Sequence, residues 1–431
     1  MRHTVLILSF LFLGEWATAQ HCGTPMAVAA RSRTCPGYSD AIERVYDAAR
    51  AHRGVLSDTT VYRIPVVVHV VYHTAQENLD LALIHSQINA LNRDYRRRNA
   101  DTLDTRSVFE PVAADPHIEF YLAGTDPDGN PTGGITRTYT DQLNFPIGLS
   151  GQGLDNVKQS ALGGKDAWDT GQYLNIWVCN TIDPQSPFGE IIGYAYPPAG
   201  APNWPNGSGA PQPQFEGVVI HYQVFGDDNP LAQADFPFAS RGRTCVHEVG
   251  HFLGLRHTWG DASVDGCTVD DGLTDTPNCA QDAFHGCDKL ANTCDDGAGD
   301  LPDMIENYLD YADETCMNLF TQQQTDVMRA IIEGVRNPLI SGNIPATGVN
   351  ETDIAQLVEV FPNPTSDRVM IKAETAMRCV EVTDLSGRVL LTIMTDNAEV
   401  GLDMTGITAG RYVLRIFTSR GVMHRPLLLL Q

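Results

Sequence analysis

The chain has 431 residues, of which 29 are Lys or Arg and 53 are Asp or Glu, a formal charge of −24. At 42% hydrophobic and 19% charged it has the composition of a globular protein long enough for two or three domains. So large an acid excess excludes nucleic acid and anionic membrane as partners, which are held by clustered Lys and Arg, and leaves either an acidic soluble surface or acids gathered where cations bind.

Residues 1–19 read as a secretory signal peptide: a basic start at Met1, Arg2 and His3, an apolar run Thr4–Leu13, and the cleavage motif Ala17-Thr18-Ala19. The run is too short for a bilayer span, and no later segment approaches the roughly eighteen apolar residues a membrane helix needs. Export makes the 10 cysteines candidates for disulfides. Cys267, Cys279, Cys287, Cys294 and Cys316 crowd together, an odd number whose connectivity the spacing leaves open.

From Gln20 to Arg53 the chain has little apolar content, apart from a predicted helix over Ser39–Arg50 with Ile42, Val45, Tyr46 and Ala49 on one face. Ile64–Tyr72 (IPVVVHVVY) predicts a buried strand, and Leu81–Arg98 an amphipathic helix with Ile84, Ile88, Leu91 and Tyr95 at helical spacing. Strands are expected at Ile118–Ala123, Leu174–Asn180 and Gly217–Phe225, and helices at Ser240–Leu255 and Gln322–Val335. Together these make an α+β domain over residues 54–337. A Gly-, Pro- and Asn-rich linker follows over 338–356, and six or seven short strands over 357–431 predict a small β-sandwich.

The sharpest feature is the string His247-Glu248-Val249-Gly250-His251-Phe252-Leu253-Gly254-Leu255-Arg256-His257. On a helix, His247 and His251 are one turn apart and can share one ion. Glu248 is rotated off that pair, where it can serve as a general base without ligating. Gly254 permits the positive φ that ends the helix and brings His257 back as a third nitrogen. Three imidazoles and one open position make a catalytic zinc arrangement.

This string, followed by Thr258-Trp259-Gly260, by Cys267-Thr268-Val269-Asp270-Asp271-Gly272-Leu273-Thr274-Asp275-Thr276-Pro277 and by Asn307-Tyr308-Leu309-Asp310-Tyr311, resembles the pappalysin family of metzincin metallopeptidases. It is similar in particular to the small bacterial and archaeal members of the ulilysin and mirolysin type. The resemblance implies a metzincin domain with a twisted mixed sheet and an active-site helix. It implies zinc ligands at His247, His251 and His257, a general base and acid at Glu248, and an oxyanion-stabilising hydroxyl at Tyr311. Leu309 stands where the family has the methionine of its characteristic turn, a swap of similar volume that should cost below about 1.5 kcal/mol.

The same resemblance implies structural calcium at Asp271, Thr274 and Thr276 and pairs Cys267 with Cys294 and Cys287 with Cys316, leaving Cys279 unassigned. Between Asp261 and Glu314 there are 15 acids and one base, Lys289. Glu314, where the family has an acid at the floor of the pocket beyond the scissile bond, implies a preference for Arg or Lys there. Cleavage before Arg50 or Arg53 would then be self-maturation, making residues 20–53 a propeptide. His21-Cys22-Gly23-Thr24 is similar to the family's cysteine switch, in which the Cys22 thiolate fills the open metal position; a structural disulfide of Cys22, with Cys35 as a candidate partner, is the alternative.

Val360-Phe361-Pro362-Asn363-Pro364 and Asp384-Leu385-Ser386-Gly387-Arg388 resemble the C-terminal sorting domain read by the type IX secretion machinery of Gram-negative bacteria. The expectation is a zinc endopeptidase acting on proteins or peptides, exported through the periplasm to the cell surface or the medium. A surface adhesin built on an inactive scaffold is the alternative.

Overall fold

The computed structural model describes residues 22–34, 60–147, 153–182, 190–198, 210–260, 267–268, 270–342, 358–373, 376–384, 389–418 and 421–430. The predicted signal peptide, the helix expected at 39–50, and Cys35, Arg44, Arg50 and Arg53 lie outside the described residues. The chain divides into two compact units, Met1–Thr347 and Gly348–Gln431.

The first unit is built on β1 (Tyr62–Tyr72), whose β-branched run is buried from Ile64 to Val71. A strand buried on both faces is what a central parallel position requires. A two-stranded ribbon of β2 (Ala113–Ala114) and β8 (Phe320–Thr321) lies apart from the main sheet. β1 pairs in parallel with β3 (Ile118–Leu122) along its first half and with β4 (Ile135–Tyr139) along its second. It also runs parallel to β5 (Leu174–Cys179), which neighbours β7 (Val218–His221). β6 (Gly193–Ala195) pairs antiparallel with β7 and ends the sheet, in the order β3-β1-β5-β7-β6.

Six helices belong to this unit among the described residues: α1 (Thr24–Thr34), α2 (Leu81–Asp94), α3 (Pro230–Asp235), α4 (Arg243–Phe252), α5 (Gln322–Glu333) and α6 (Pro338–Ser341). Asp80 caps α2 by accepting from Leu83 N, and Ile84, Ile88 and Leu91 face the core. The helix stops at Asp94, short of the expected Arg98, where Arg97 takes a left-handed φ of 43°. The strand expected to reach Phe225 ends at His221 and gives way to a 3₁₀ turn over Tyr222–Val224. α4 and α5 are each shorter than their expected spans. One apolar core joins Val66, Val68 and Val70 of β1 and Ile176 of β5 to Val246 and Val249 of α4 and Ile331 of α5.

The second unit holds two antiparallel sheets. β9 (Val358–Phe361), β10 (Arg368–Ala373) and β13 (Glu399–Asp403) form one, in the order β13-β10-β9. β11 (Met377–Thr383), β12 (Val389–Met394), β14 (Gly410–Thr418) and β15 (Gly421–Leu429) form the other, in the order β12-β11-β14-β15. Val369, Ile371 and Leu402 of the first sheet share a core with Val380, Leu414 and Ile416 of the second.

Candidate active site

The site is organised by α4, which begins without a cap of its own: Gly242 sits at the N-cap with φ 69° and offers no side chain. The cap comes from a distant residue. Glu314 accepts the backbone N–H groups of Arg241 and Thr244 and, at 2.8 Å, the Thr244 hydroxyl. A carboxylate at this end also faces the positive pole of the helix. Buried Arg243 pairs with Asp94 at 3.3 Å and Asp101 at 2.7 Å, and Tyr95 donates to the carbonyl of Val246 at 3.0 Å, so the helix is tied to α2. At the far end Gly254 has φ 95°, and a Cβ there would meet Ile331 at 3.0 Å. Arg336 closes that end by donating to the Phe252 carbonyl at 2.8 Å.

The turn after Gly254 returns His257 to the two helical histidines. The three Nε2 atoms lie 3.0–3.1 Å from one another. The other ring nitrogens of the helical pair face carbonyls: His247 Nδ1 is 2.7 Å from Tyr308 O, and His251 Nδ1 is 2.8 Å from Leu255 O. A ring that donates from Nδ1 presents the lone pair of Nε2. Burial first, then the neighbouring imidazoles, holds His247 well below the ordinary histidine pKa. Converging nitrogen lone pairs at this spacing repel one another unless they share a cation, so the donor set fits one metal ion. Leu309 lies beneath, with its Cδ2 at 3.2 Å from where a Cβ on Gly250 would stand.

Cys22 completes the cluster. Its Sγ and the imidazole nitrogens of His247, His251 and His257 all lie within 4.8 Å of one another. Cys22 is buried and unpaired, which corrects the alternative of a disulfide at this position. The segment is held by sheet pairing: Cys22 forms a parallel bridge to Gly193, and Gly23 N donates to Gly193 O at 2.8 Å. Thr24 then takes the Ala195 N–H at 2.9 Å and sets its hydroxyl 3.1 Å from Glu248 Oε2. Glu248 is fully buried, which pushes its carboxyl up to about 8. A Cβ on Gly193 would stand 2.9 Å from Glu248 Cγ, so only glycine fits beside that carboxylate.

Tyr311 reaches the cluster from the segment after Leu309. Its ring centroid lies 4.9 Å from that of His257 and 5.6 Å from that of His247. Trp259 stacks on His257 at 4.4 Å and meets Tyr311 edge-on at 4.8 Å. Next to these rings is a pocket walled by Ile192, Phe238, His285 and Met317, with Glu314 in its lining. Burial raises the Glu314 carboxyl, against the lowering effect of its hydrogen bonds.

In the acidic loop, disulfides join Cys267 to Cys294 and Cys287 to Cys316. Cys279 stays a buried thiol, 3.5 Å from the Thr258 hydroxyl. Asp271 is buried: its Oδ1 accepts Leu273 N at 3.0 Å and the Thr276 hydroxyl at 2.8 Å, while Oδ2 has no hydrogen-bond partner among the described residues. Burial pushes this carboxyl up to about 8. Thr274 faces α5, exchanging hydrogen bonds with Gln323. The sequence shows Thr24 and Asp310 only as members of longer motifs, with no role of their own, and does not mark β6, because each enters the site through a tertiary partner.

A mixed sheet with an edge strand over a helix bearing HExxH, and a third histidine after a glycine turn, defines a metzincin-type metallopeptidase. The M43 peptidase model, described as pregnancy-associated plasma protein-A, matches residues 158–333, and a secretion system C-terminal sorting domain matches 359–428. Mature mirolysin of Tannerella forsythia, solved in complex with a cleaved peptide, is 42% identical, covering 65% of this chain and 96% of that one with a TM-score of 0.55. A promirolysin mutant from the same organism is 38% identical over 75% of this chain and 97% of its own, with a TM-score of 0.62. An extracellular metalloprotease of Colletotrichum graminicola is 28% identical, covering 77% of this chain and 96% of the relative.

The chain belongs to the pappalysin family of metallopeptidases and carries a C-terminal type IX sorting domain. It is a secreted zinc metalloendopeptidase, exported to the surface or surroundings of a Gram-negative bacterium. No helix among the described residues is long and apolar enough to cross a membrane. The adhesin alternative is not favoured.

Proposed function

We propose that this chain is made as a self-processing zymogen, with His247, His251 and His257 holding the zinc and Cys22 closing its fourth position. The observation that carries this reading is the convergence of three histidine nitrogens and one thiol within 4.8 Å. Zinc bound there supplies Lewis-acid polarisation of the scissile carbonyl and acidifies water. Glu248 takes the proton of the attacking water and hands it to the leaving amine. The Tyr311 hydroxyl donates to the oxyanion. Substrate enters as an extended strand along β6, in the place Cys22 and Gly23 occupy. Glu248→Ala should abolish cleavage of gelatin while zinc content, read by atomic absorption, stays at one per chain. Retained cleavage in that variant sinks the assignment.

The pocket beside Tyr311 takes an Arg or Lys after the scissile bond, and buried Glu314 supplies the negative charge. That carboxylate already accepts three hydrogen bonds at the start of α4, so it serves both the helix and the substrate. Cleavage before Arg50 or Arg53 then frees the cleft, and residues 20–53 are the propeptide. Mass spectrometry of a cleaved peptide library should show Arg and Lys enriched after the cut and the enrichment reduced in Glu314→Gln. An even distribution in the unmutated enzyme rules out this specificity.

Calcium orders the acidic loop at Asp271, Thr274 and Thr276. The unpartnered Oδ2 of a buried carboxylate supports this, because a hard cation is the partner such an oxygen lacks. In the C-terminal unit, residues 357–431 are the module that the type IX machinery reads.

A further inference from the structure

Asp310 precedes Tyr311 and is 1% exposed. Its Oδ1 accepts the N–H of Tyr311 at 2.6 Å and that of Ala283 at 2.9 Å. Its Oδ2 accepts the hydroxyl of Thr258, the residue after His257, at 3.4 Å. One carboxylate therefore joins three segments: the return of the third histidine, the Tyr311 segment, and the acidic loop. The Tyr311 carbonyl is fixed from the same loop, accepting His285 N–H at 2.6 Å. Both backbone polar groups of Tyr311 are thus held.

An isolated carboxylate in such a place is costly, and its hydrogen bonds must offset that cost. An oxyanion donor repays tight placement, since removing one costs about 10²–10³ in kcat and an error near 1 Å can cost about 10². We propose that Asp310 is a positioning residue that fixes the Tyr311 hydroxyl relative to His257 by clamping the Tyr311 backbone to Thr258 and Ala283. The inference rests on Tyr311 acting as the oxyanion donor. The clamp works through acceptor geometry: an amide in place of the carboxylate keeps one oxygen for the two N–H groups, and its NH2 can donate to the Thr258 hydroxyl.

The test uses the full chain, processed by a trace of tagged unmutated enzyme that is then removed, with kcat, KM and zinc content measured for each variant. Asp310→Ser should lower kcat by about 30-fold or more with KM within about threefold and zinc retained. Tyr311→Phe should lower kcat by about 100-fold, and the double variant should match Tyr311→Phe within about threefold, the non-additivity expected of one residue acting through another. Asp310→Asn should stay within about fivefold of the unmutated enzyme. A double variant showing the product of the two losses overturns the clamp, because Asp310 would then act independently. So does an Asp310→Asn variant below about one tenth of the unmutated kcat, a result that stands even if Asp310→Ser is not recovered folded. Tyr311→Phe at full kcat overturns the reading of Tyr311 itself, and with it the route by which Asp310 acts.

Discussion

Thr24 puts its hydroxyl 3.1 Å from Glu248 Oε2 while Cys22 sits against the histidine cluster. Latency on this geometry has two contacts, one at the metal position and one at the base. Thr24→Val keeps the shape of the side chain and removes the hydroxyl, so Glu248 loses this contact and Ala195 N–H its acceptor, while the Cys22 and Gly23 pairing with Gly193 still docks the segment. The unprocessed variant should self-process about 5- to 20-fold faster than the unmutated chain, because a hydrogen bond to a charged group is worth about 1.5 kcal/mol or more. Cys22→Ala should process faster still. Equal rates for Thr24→Val and the unmutated chain, followed by gel densitometry, would leave the thiol as the whole of the lock. The sequence makes the zinc string legible because His247 and His251 meet across one helical turn and Gly254 marks the turn that returns His257. Thr24 and Glu248 are 224 residues apart, and Asp310 and Thr258 are 52 apart, so no local period reveals either pair.

At the level of elements, local pattern identified β1, β3, β5 and the two long helices, since each carries enough apolar residues to express its period. β6 has three residues, Gly193, Tyr194 and Ala195, between loop segments, too few to show alternation. Its stability comes from behind. Lys158, fully buried, lies 4.8 Å from the ring centre of Tyr194 and 4.5 Å from that of Tyr196, and donates to Phe215 O at 2.7 Å. Burial lowers Lys158 from the usual 10.5 to about 8. The folded chain therefore sheds this proton before the unfolded chain does, and between about pH 8 and pH 10 unfolding takes up a proton. Relative to Lys158→Met, the unmutated protein should hold a constant stability difference below pH 8 and gain about 2 kcal/mol by pH 10. Urea denaturation at a series of pH values reads this difference. A difference independent of pH would mean that Lys158 titrates alike in both states.

Across the whole molecule, the charge of −24 is not evenly spread, since Asp261–Glu314 alone holds 15 acids against one base. Such a loop has few apolar side chains to order it, and the interleaved disulfides Cys267–Cys294 and Cys287–Cys316 tie its middle to its two ends. The cation proposed at Asp271 would add to the order that these bridges and the loop's hydrogen bonds supply, and its contribution is separable from that of zinc. Protein stripped of both metals and reloaded with zinc alone should melt about 4–5 °C below protein given zinc and calcium, the shift that about 2.7 kcal/mol of ligand linkage produces in a unit of this size. Asp271→Ala should melt lower in either case and lose the gap. The pH dependence has a fixed sign. Without calcium, Asp271 holds its proton to about pH 8 in the folded chain, whereas the unfolded chain releases it near the ordinary 3.8. Unfolding then releases a proton, so the calcium-free protein loses stability as pH rises toward 8, and the calcium gap at pH 8 should exceed that at pH 6 by about 1–2 kcal/mol. A gap that persists in Asp271→Ala, or that narrows between pH 6 and pH 8, would place the stabilising cation elsewhere in the loop.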